Sequence, residues 1–151
     1  MKESIFIFFI ILIIILALWG LTTKYFPKTK NTQSIPSSIN GITLSLNNNQ
    51  THLNKPVLEI NIENSNNYEV TYGNEWTIER YVNEEWKRVF PIDEKSFTVQ
   101  LFAVEPHSSS IETINLQSYL EDELIVGKYR IIKEIENKQI KYLLGITFEI
   151  K

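Results

Sequence analysis

The two histidines of this cysteine-free chain are its best candidates for acid–base chemistry or metal binding. His52 and His107 each lie in a turn-like segment, far apart in sequence, and neither has a second histidine four residues away. Zinc sites usually place His or Cys ligands in pairs at short, fixed intervals. We therefore predict that both histidines are solvated loop residues and that the chain holds no metal.

Three consecutive serines, Ser108–Ser110, follow His107 and place hydroxyl nucleophiles beside a base. A serine hydrolase of the common α/β type holds its nucleophile in a G-x-S-x-G turn, and no such turn surrounds these serines. The five glycines form no phosphate-binding loop. We expect no catalytic residue, no cofactor site and no enzymatic activity.

The densest acidic cluster of the chain is Glu121-Asp122-Glu123. Calcium-binding loops usually space their acids at alternate positions, whereas these three are consecutive. We expect a solvated acidic turn rather than a calcium site. Glu84 and Glu85 are likewise predicted to face solvent, at the tip of a hairpin.

Five aromatic residues could form a platform for a sugar ligand: Tyr68, Tyr72, Trp76, Tyr81 and Trp86. With the period of two of a strand, Trp76 and Ile78 share one face while Tyr81 lies on the other. We predict that Trp76 is a core residue and that Tyr81 and Trp86 form an exposed cross-strand pair. Packing within the sheets is favoured over a sugar platform, which stays an alternative.

Alternation of apolar and polar residues with a period of two runs through most of the chain beyond residue 40, and it predicts strands. The segments are Ile42–Leu46, Leu58–Ile62, Trp76–Val82, Trp86–Phe90, Phe97–Val104, Ile111–Leu116, Tyr129–Ile135 and Ile140–Ile150. Only residues 116–124 have a pattern suited to a helical turn. Seven or eight short strands separated by turns predict an all-β fold, an antiparallel β-sandwich.

The pattern Gly127-Lys128-Tyr129-Arg130-Ile131 resembles the start of strand F in immunoglobulin-like domains. The resemblance implies a tyrosine corner, in which the Tyr129 hydroxyl bonds to the backbone upstream. It also implies that Ile131 and either Ile60 or Ile62 occupy the positions of the two cysteines of antibody domains. Packed isoleucines would then replace the disulfide.

The order of motifs from Leu58 to Lys151 resembles the bacterial immunoglobulin-like (Big-type) domains of Gram-positive surface and membrane proteins. The motifs are Asn64-Ser65-Asn66, Tyr72-Gly73, Trp76-Thr77-Ile78-Glu79, Trp86-Lys87, a Val-Glu-Pro turn, GKYR and Thr147-Phe148-Glu149-Ile150. This resemblance implies an immunoglobulin-like sandwich located outside the membrane. It implies no activity, because sandwich folds serve unrelated functions.

Residues 5–21 are 17 consecutive apolar residues, IFIFFIILIIILALWGL. As a helix they span roughly 25 Å, and flanking residues extend this to the roughly 30 Å of a bilayer core. No small-residue cleavage site follows them, and the chain has no cysteine for lipidation. We expect an uncleaved single-pass transmembrane helix, with a cleaved signal peptide and a buried core helix as the alternatives.

The charges around this apolar segment and the family resemblance predict opposite sides of the membrane for the C-terminal module. Lys24, Lys28 and Lys30 follow the segment, and the positive-inside rule then places the C-terminal module in the cytoplasm. The resemblance implies the opposite side. We follow the resemblance and expect a cell-membrane protein whose C-terminal domain is extracytoplasmic.

These features divide the chain into a transmembrane anchor at 1–23, a flexible linker at 24–40 and a sandwich at 41–151. From residue 31 onward, 11 Lys and Arg stand against 17 Asp and Glu, a net charge of about −6, which argues against nucleic acid as a partner. We expect a non-catalytic module for recognition or spacing at the cell surface. Its partners are the membrane, through residues 5–21, and an unidentified protein or wall polymer; the alternative is an accessory subunit of a membrane enzyme, transporter or receptor.

Overall fold

The computed structural model describes residues 31–89, 100–119 and 124–151 of the chain. Within these ranges there are eleven strands, β1–β11, and one helical turn, α1 (Leu116–Tyr119), which falls where the sequence predicts it. No helix in the described ranges is long and apolar enough to cross a membrane. The predicted anchor at 5–21 and the acidic turn at 121–123 lie outside the described residues.

The first sheet has four antiparallel strands in the order β1-β2-β4-β9. Their bounds are β1 Ser38–Ile39, β2 Ile42–Leu46, β4 Val57–Asn64 and β9 Ser108–Asn115. Side chains alternate between the two faces as a pleated strand requires. In β4, Leu58, Ile60 and Ile62 are buried, while Glu59 and Glu63 face solvent.

The second sheet is centred on two long strands, β10 (Gly127–Asn137) and β11 (Ile140–Ile150), which pair over their whole length. Strands β5 and β6 pair with successive halves of β10, and β8 and β7 lie beyond them. Strand β3 runs parallel to the end of β11. The bounds of these strands are β3 Gln50–Thr51, β5 Val70–Gly73, β6 Thr77–Val82, β7 Glu85–Arg88 and β8 Leu101–Val104.

The two sheets bury one shared hydrophobic core, to which both contribute aliphatic and aromatic side chains. Ile60, Ile62 and Ile131 are fully buried in it, at the positions that the resemblance assigns to cysteines of antibody domains. The rings of Tyr129 and Phe148 stack with their centroids 5.7 Å apart. The predicted all-β fold is confirmed, and the two sheets are consistent with a β-sandwich.

Three hairpins close through two-residue turns in which both residues have positive φ: Asn40-Gly41, Asn83-Glu84 and Lys138-Gln139. This geometry is that of type I′ turns, whose twist matches the flanking strands. Asn-Gly is the preferred sequence for such a turn, whereas the other two turns hold side chains in a left-handed conformation.

Strands β1, β3 and β5 were not predicted as strands. The first two contain two residues each, which is too short to establish a period. The third, β5, has only four residues and ends in the Tyr72-Gly73 motif. The Asn83-Glu84 hairpin lies within the predicted connection, and the long strands β10 and β11 were predicted correctly.

Residues 31–40 were predicted as part of a flexible linker, and the structure bonds them to the module. Residues 38–39 form β1. Ahead of it, residues 31–36, here called the strap, lie against the second sheet. The Pro36 carbonyl accepts a hydrogen bond from the Gly145 amide at 2.9 Å. A methyl group added at Gly145 would lie 3.0 Å from the Ile35 side chain, so this glycine permits the close approach of the strap.

Candidate functional site

The structure gives the residues considered for acid–base chemistry separate partners. His107 Nε2 lies 2.6 Å from Asn67 Oδ1 on the exposed turn before β9. Ser108 Oγ donates to the Glu105 carbonyl at 2.8 Å. His52 is exposed in the loop after β3. In the described part of the chain, no three or more His, Asp or Glu side chains converge as a metal site would require.

A polar depression of about 360 Å³ lies beside His107 at one end of the first sheet. Its floor includes Asn64, which is fully buried. The Asn64 amide donates to the carbonyls of Tyr68, Val104 and Glu105 at 2.7, 3.0 and 3.2 Å. Because these bonds tie two loops together, the amide is committed to the fold.

A lysine is enclosed in the interior by two aromatic rings, and we call Tyr72, Trp76 and Lys133 the buried lysine cluster. Lys133 is 1% exposed. Its ammonium lies 4.1 Å from the Trp76 ring centroid and 5.0 Å from that of Tyr72. It donates to the carbonyl of Gly73 and, at 3.0 Å, to that of Glu75. Rings and carbonyls together replace the water that the cation loses.

Burial shifts the protonation equilibria of this cluster. It lowers the pKa of Lys133 to about 8, against the opposing charges of Glu112 and Glu75. It raises the pKa of Tyr72 to about 12, helped by a 2.6 Å hydrogen bond from the Tyr72 hydroxyl to Glu112 on the other sheet. A lysine with a pKa near 8 is a potential nucleophile. Its ammonium is enclosed, however, so a substrate cannot reach it. Lys133 instead stabilises the fold by joining β10 to β5 and to the segment before β6.

Tyr129 forms the tyrosine corner that the resemblance to immunoglobulin-like domains implies. Its ring is buried, and its hydroxyl donates to the Ile125 carbonyl at 2.7 Å, four residues upstream. Burial raises the pKa of this hydroxyl.

A second aromatic–cation group lies on the outer face of the second sheet. This outer-face cluster comprises Tyr81, Trp86, Arg88, Lys128 and Arg130. Tyr81 and Trp86 are directly opposed on β6 and β7, with ring centroids 5.0 Å apart, and Tyr81 is 41% exposed. The prediction of a cross-strand pair is confirmed. The Lys128 ammonium lies 5.6 Å from the Tyr81 centroid and 6.0 Å from that of Trp86.

The strap and a buried ion pair fix the inner edge of this cluster. Arg130 pairs with Glu79, and its guanidinium lies 4.5 Å from the Trp86 centroid. It also donates to the Gln33 carbonyl of the strap. The Trp86 amide donates to the Asn31 carbonyl at 2.9 Å. Because the strap accepts these bonds through backbone carbonyls, it holds Arg130 and Trp86 in place.

A model of the bacterial Ig-like domain family matches residues 38–144, well over half of the chain. The chain belongs to the bacterial Ig-like domain family. Comparison with curated protein sequences gives no match. The family match contains both aromatic–cation groups of this bacterial Ig-like domain, whereas the strap lies ahead of the matched residues.

Sequence reasoning missed the buried lysine cluster, the Arg130–Glu79 pair and the strap. One signal was present, because Lys133 occupies an inward position between Ile131 and Ile135 in the alternation of β10. A charge at a core position indicates a buried partner. The strap gives no such signal, because backbone carbonyls carry its bonds.

Proposed function

We propose that this bacterial Ig-like domain is the extracytoplasmic module of a single-pass membrane protein of Gram-positive type. It serves in recognition or spacing at the cell surface and catalyses no reaction. The apolar stretch at 5–21 supports the anchor, and the family resemblance supports the external location. The observation that carries recognition is the outer-face cluster, which presents an aromatic pair and cations to solvent on a firmly bonded sheet.

The burial of Lys133 and the separate hydrogen-bond partners of His107 and Ser108 support a non-catalytic role. Catalysis generally needs a tuned acid, base or nucleophile that a substrate can reach. The described group with the largest lowering of pKa, Lys133, is enclosed by rings and carbonyls. His107 and Ser108 bond to different neighbours on an exposed turn. Surface contact is the use that this arrangement favours.

Protease added to intact cells tests the location. The full chain is expressed with a C-terminal epitope, and a cytoplasmic protein serves as the control for cell integrity. We expect rapid loss of the epitope while the control protein persists. Protection of the epitope until lysis would contradict the proposal and would mean that Lys24, Lys28 and Lys30 decide the orientation.

Exchange of the anchor for an unrelated transmembrane segment tests the role. If the module itself makes the contacts, the exchanged chain retains its partners in a pull-down. Loss of all partners on exchange would contradict recognition by the module and favour an accessory subunit that docks through its helix.

A further inference from the structure

The outer-face cluster is a cationic site on a module whose net charge is strongly negative. Residues 31–151 carry about six more acidic than basic residues. On this face, Glu79 lies opposite Arg88 in the register but pairs with Arg130. Within the described ranges, Arg88 and Lys128 have no ion-pair partner. The described part of this face therefore carries two cations without an ion pair, beside the exposed ring of Tyr81 and the half-buried ring of Trp86.

Acidic residues near the cluster reduce its positive charge in part, because they lie at its borders. Glu149 lies opposite Lys128 in the register and forms an ion pair with Lys151 at 3.7 Å. Glu84 and Glu85 stand at the tip of the β6–β7 hairpin. An anionic partner is consequently drawn to Arg88 on β7 and Lys128 on β10, the two cations of the cluster without an ion-pair partner in the described ranges.

The strap decides how a partner can engage this face. A peptide could extend the sheet by bonding to the free side of β7, but the Trp86 amide already donates to Asn31 of the strap. The strap thus occupies part of this edge, which favours a partner that binds through side chains, on rings and cations. Sugar rings stack on exposed Tyr and Trp, and acidic substituents pair with Lys and Arg.

Trp86 is held in position before any partner arrives. Arg130 stacks on Trp86 and is itself fixed by Glu79 and by the Gln33 carbonyl. Trp86 is fixed in addition through its amide. Groups that are already ordered lose less conformational entropy on binding. The surface therefore suits a polymeric ligand, in which each repeat unit forms only a few contacts.

We propose that the outer-face cluster binds an anionic polysaccharide. A sugar ring packs on the Tyr81–Trp86 pair, and carboxylate or phosphate substituents of the polymer pair separately with Lys128 on β10 and with Arg88 on β7. This inference rests on the proposed recognition role and gives it a site and a ligand class.

The test measures binding of the full-length chain, in detergent micelles, to three polymers at low salt. Polygalacturonate carries sugar rings and carboxylates, dextran carries neutral sugars, and polyphosphate carries charge without rings. We expect polygalacturonate to bind most tightly and to weaken as sodium chloride is raised, because the contacts are partly ionic.

Matched variants locate the site. Lys128→Glu should weaken binding about tenfold, because it removes one charge-assisted contact and adds a repulsive charge. Tyr81→Ala should weaken it about fivefold through loss of stacking. Lys138→Glu is the control, because Lys138 also lies 5.6 Å from a tyrosine ring, that of Tyr68, at the other end of β10. Its binding should stay within about twofold of the unchanged chain, since a distant charge is screened.

Three outcomes would overturn the proposal: no binding of polygalacturonate, equal binding of dextran or polyphosphate, or an equal loss in Lys138→Glu and Lys128→Glu. The measurement uses purified protein, so it is independent of where the module lies in the cell. A failure here together with protease accessibility on intact cells removes the ligand and leaves the proposed location standing.

Discussion

Strand β10 carries two lysines, each beside a tyrosine and a tryptophan, on opposite faces of one sheet. Lys133 lies in the interior against Trp76 and Tyr72, and Lys128 lies outside against Trp86 and Tyr81. The inner ammonium donates to backbone carbonyls, whereas the outer one lies in solvent. The same residue types therefore stabilise the fold where they are buried and are free to contact a partner where they are exposed.

The largest expected difference between the two regions is between their tryptophans. Trp76→Ala should lower the free energy of unfolding by about 3–5 kcal/mol, because it empties a core position. Trp86→Ala should cost about 1 kcal/mol, the scale of a cross-strand pair. Denaturant titration of the full-length chain in detergent measures both. Equal losses would break the division into a structural and a contact region.

The Tyr129 hydroxyl tests how much one buried hydrogen bond stabilises the interior region. Tyr129→Phe keeps the ring and leaves the Ile125 carbonyl without its partner, so we expect a loss of about 1 kcal/mol. Tyr142→Phe is the control, because Tyr142 is only partly buried and lies on the neighbouring strand. Similar losses in the two variants would mean that the tyrosine corner contributes nothing particular.

Crowding of the strap in Gly145→Ala should give the smallest change in the free energy of unfolding, and it tests the outer region. Gly145→Ala puts a methyl group 3.0 Å from Ile35, and we expect a loss of up to about 1 kcal/mol from this crowding. The amide protons of Gly145 and Trp86 should then exchange faster, because both donate to the strap. Gly73→Ala is the control, since the nearest atom to its added methyl group lies 3.9 Å away. Unchanged exchange in Gly145→Ala would show that the strap does not depend on this contact.

The sequence predicts most of the sheet architecture because apolar alternation directly reflects burial. It predicts Trp76 inside and Tyr81 with Trp86 outside for the same reason. It does not predict β1 or β3, since strands of two residues have no period. The burial of Arg130 cannot be predicted from the sequence either. Its position faces outward, and the strap that covers it is bonded through backbone carbonyls, which do not depend on residue type.

The pH dependence of stability tests most directly whether burial separates the two lysines. The pKa of Lys133 is lowered to about 8 in the folded protein, from 10.5. Between these values the unfolded chain binds more protons than the folded one, so the free energy of unfolding rises with pH. The rise from pH 8 to pH 10 should be about 2 kcal/mol. The raised pKa values of Tyr72, about 12, and of Tyr129 lower stability from about pH 9 upward, where unfolded tyrosine begins to ionise, and this loss is shared by both lysine variants.

The decisive measurement is the free energy of unfolding of the full-length chain from pH 8 to pH 10, together with Lys133→Met and Lys128→Met. The account predicts that the unchanged chain and Lys128→Met share the rise and that Lys133→Met loses it. Loss of the rise in Lys128→Met, or its persistence in Lys133→Met, would contradict the account.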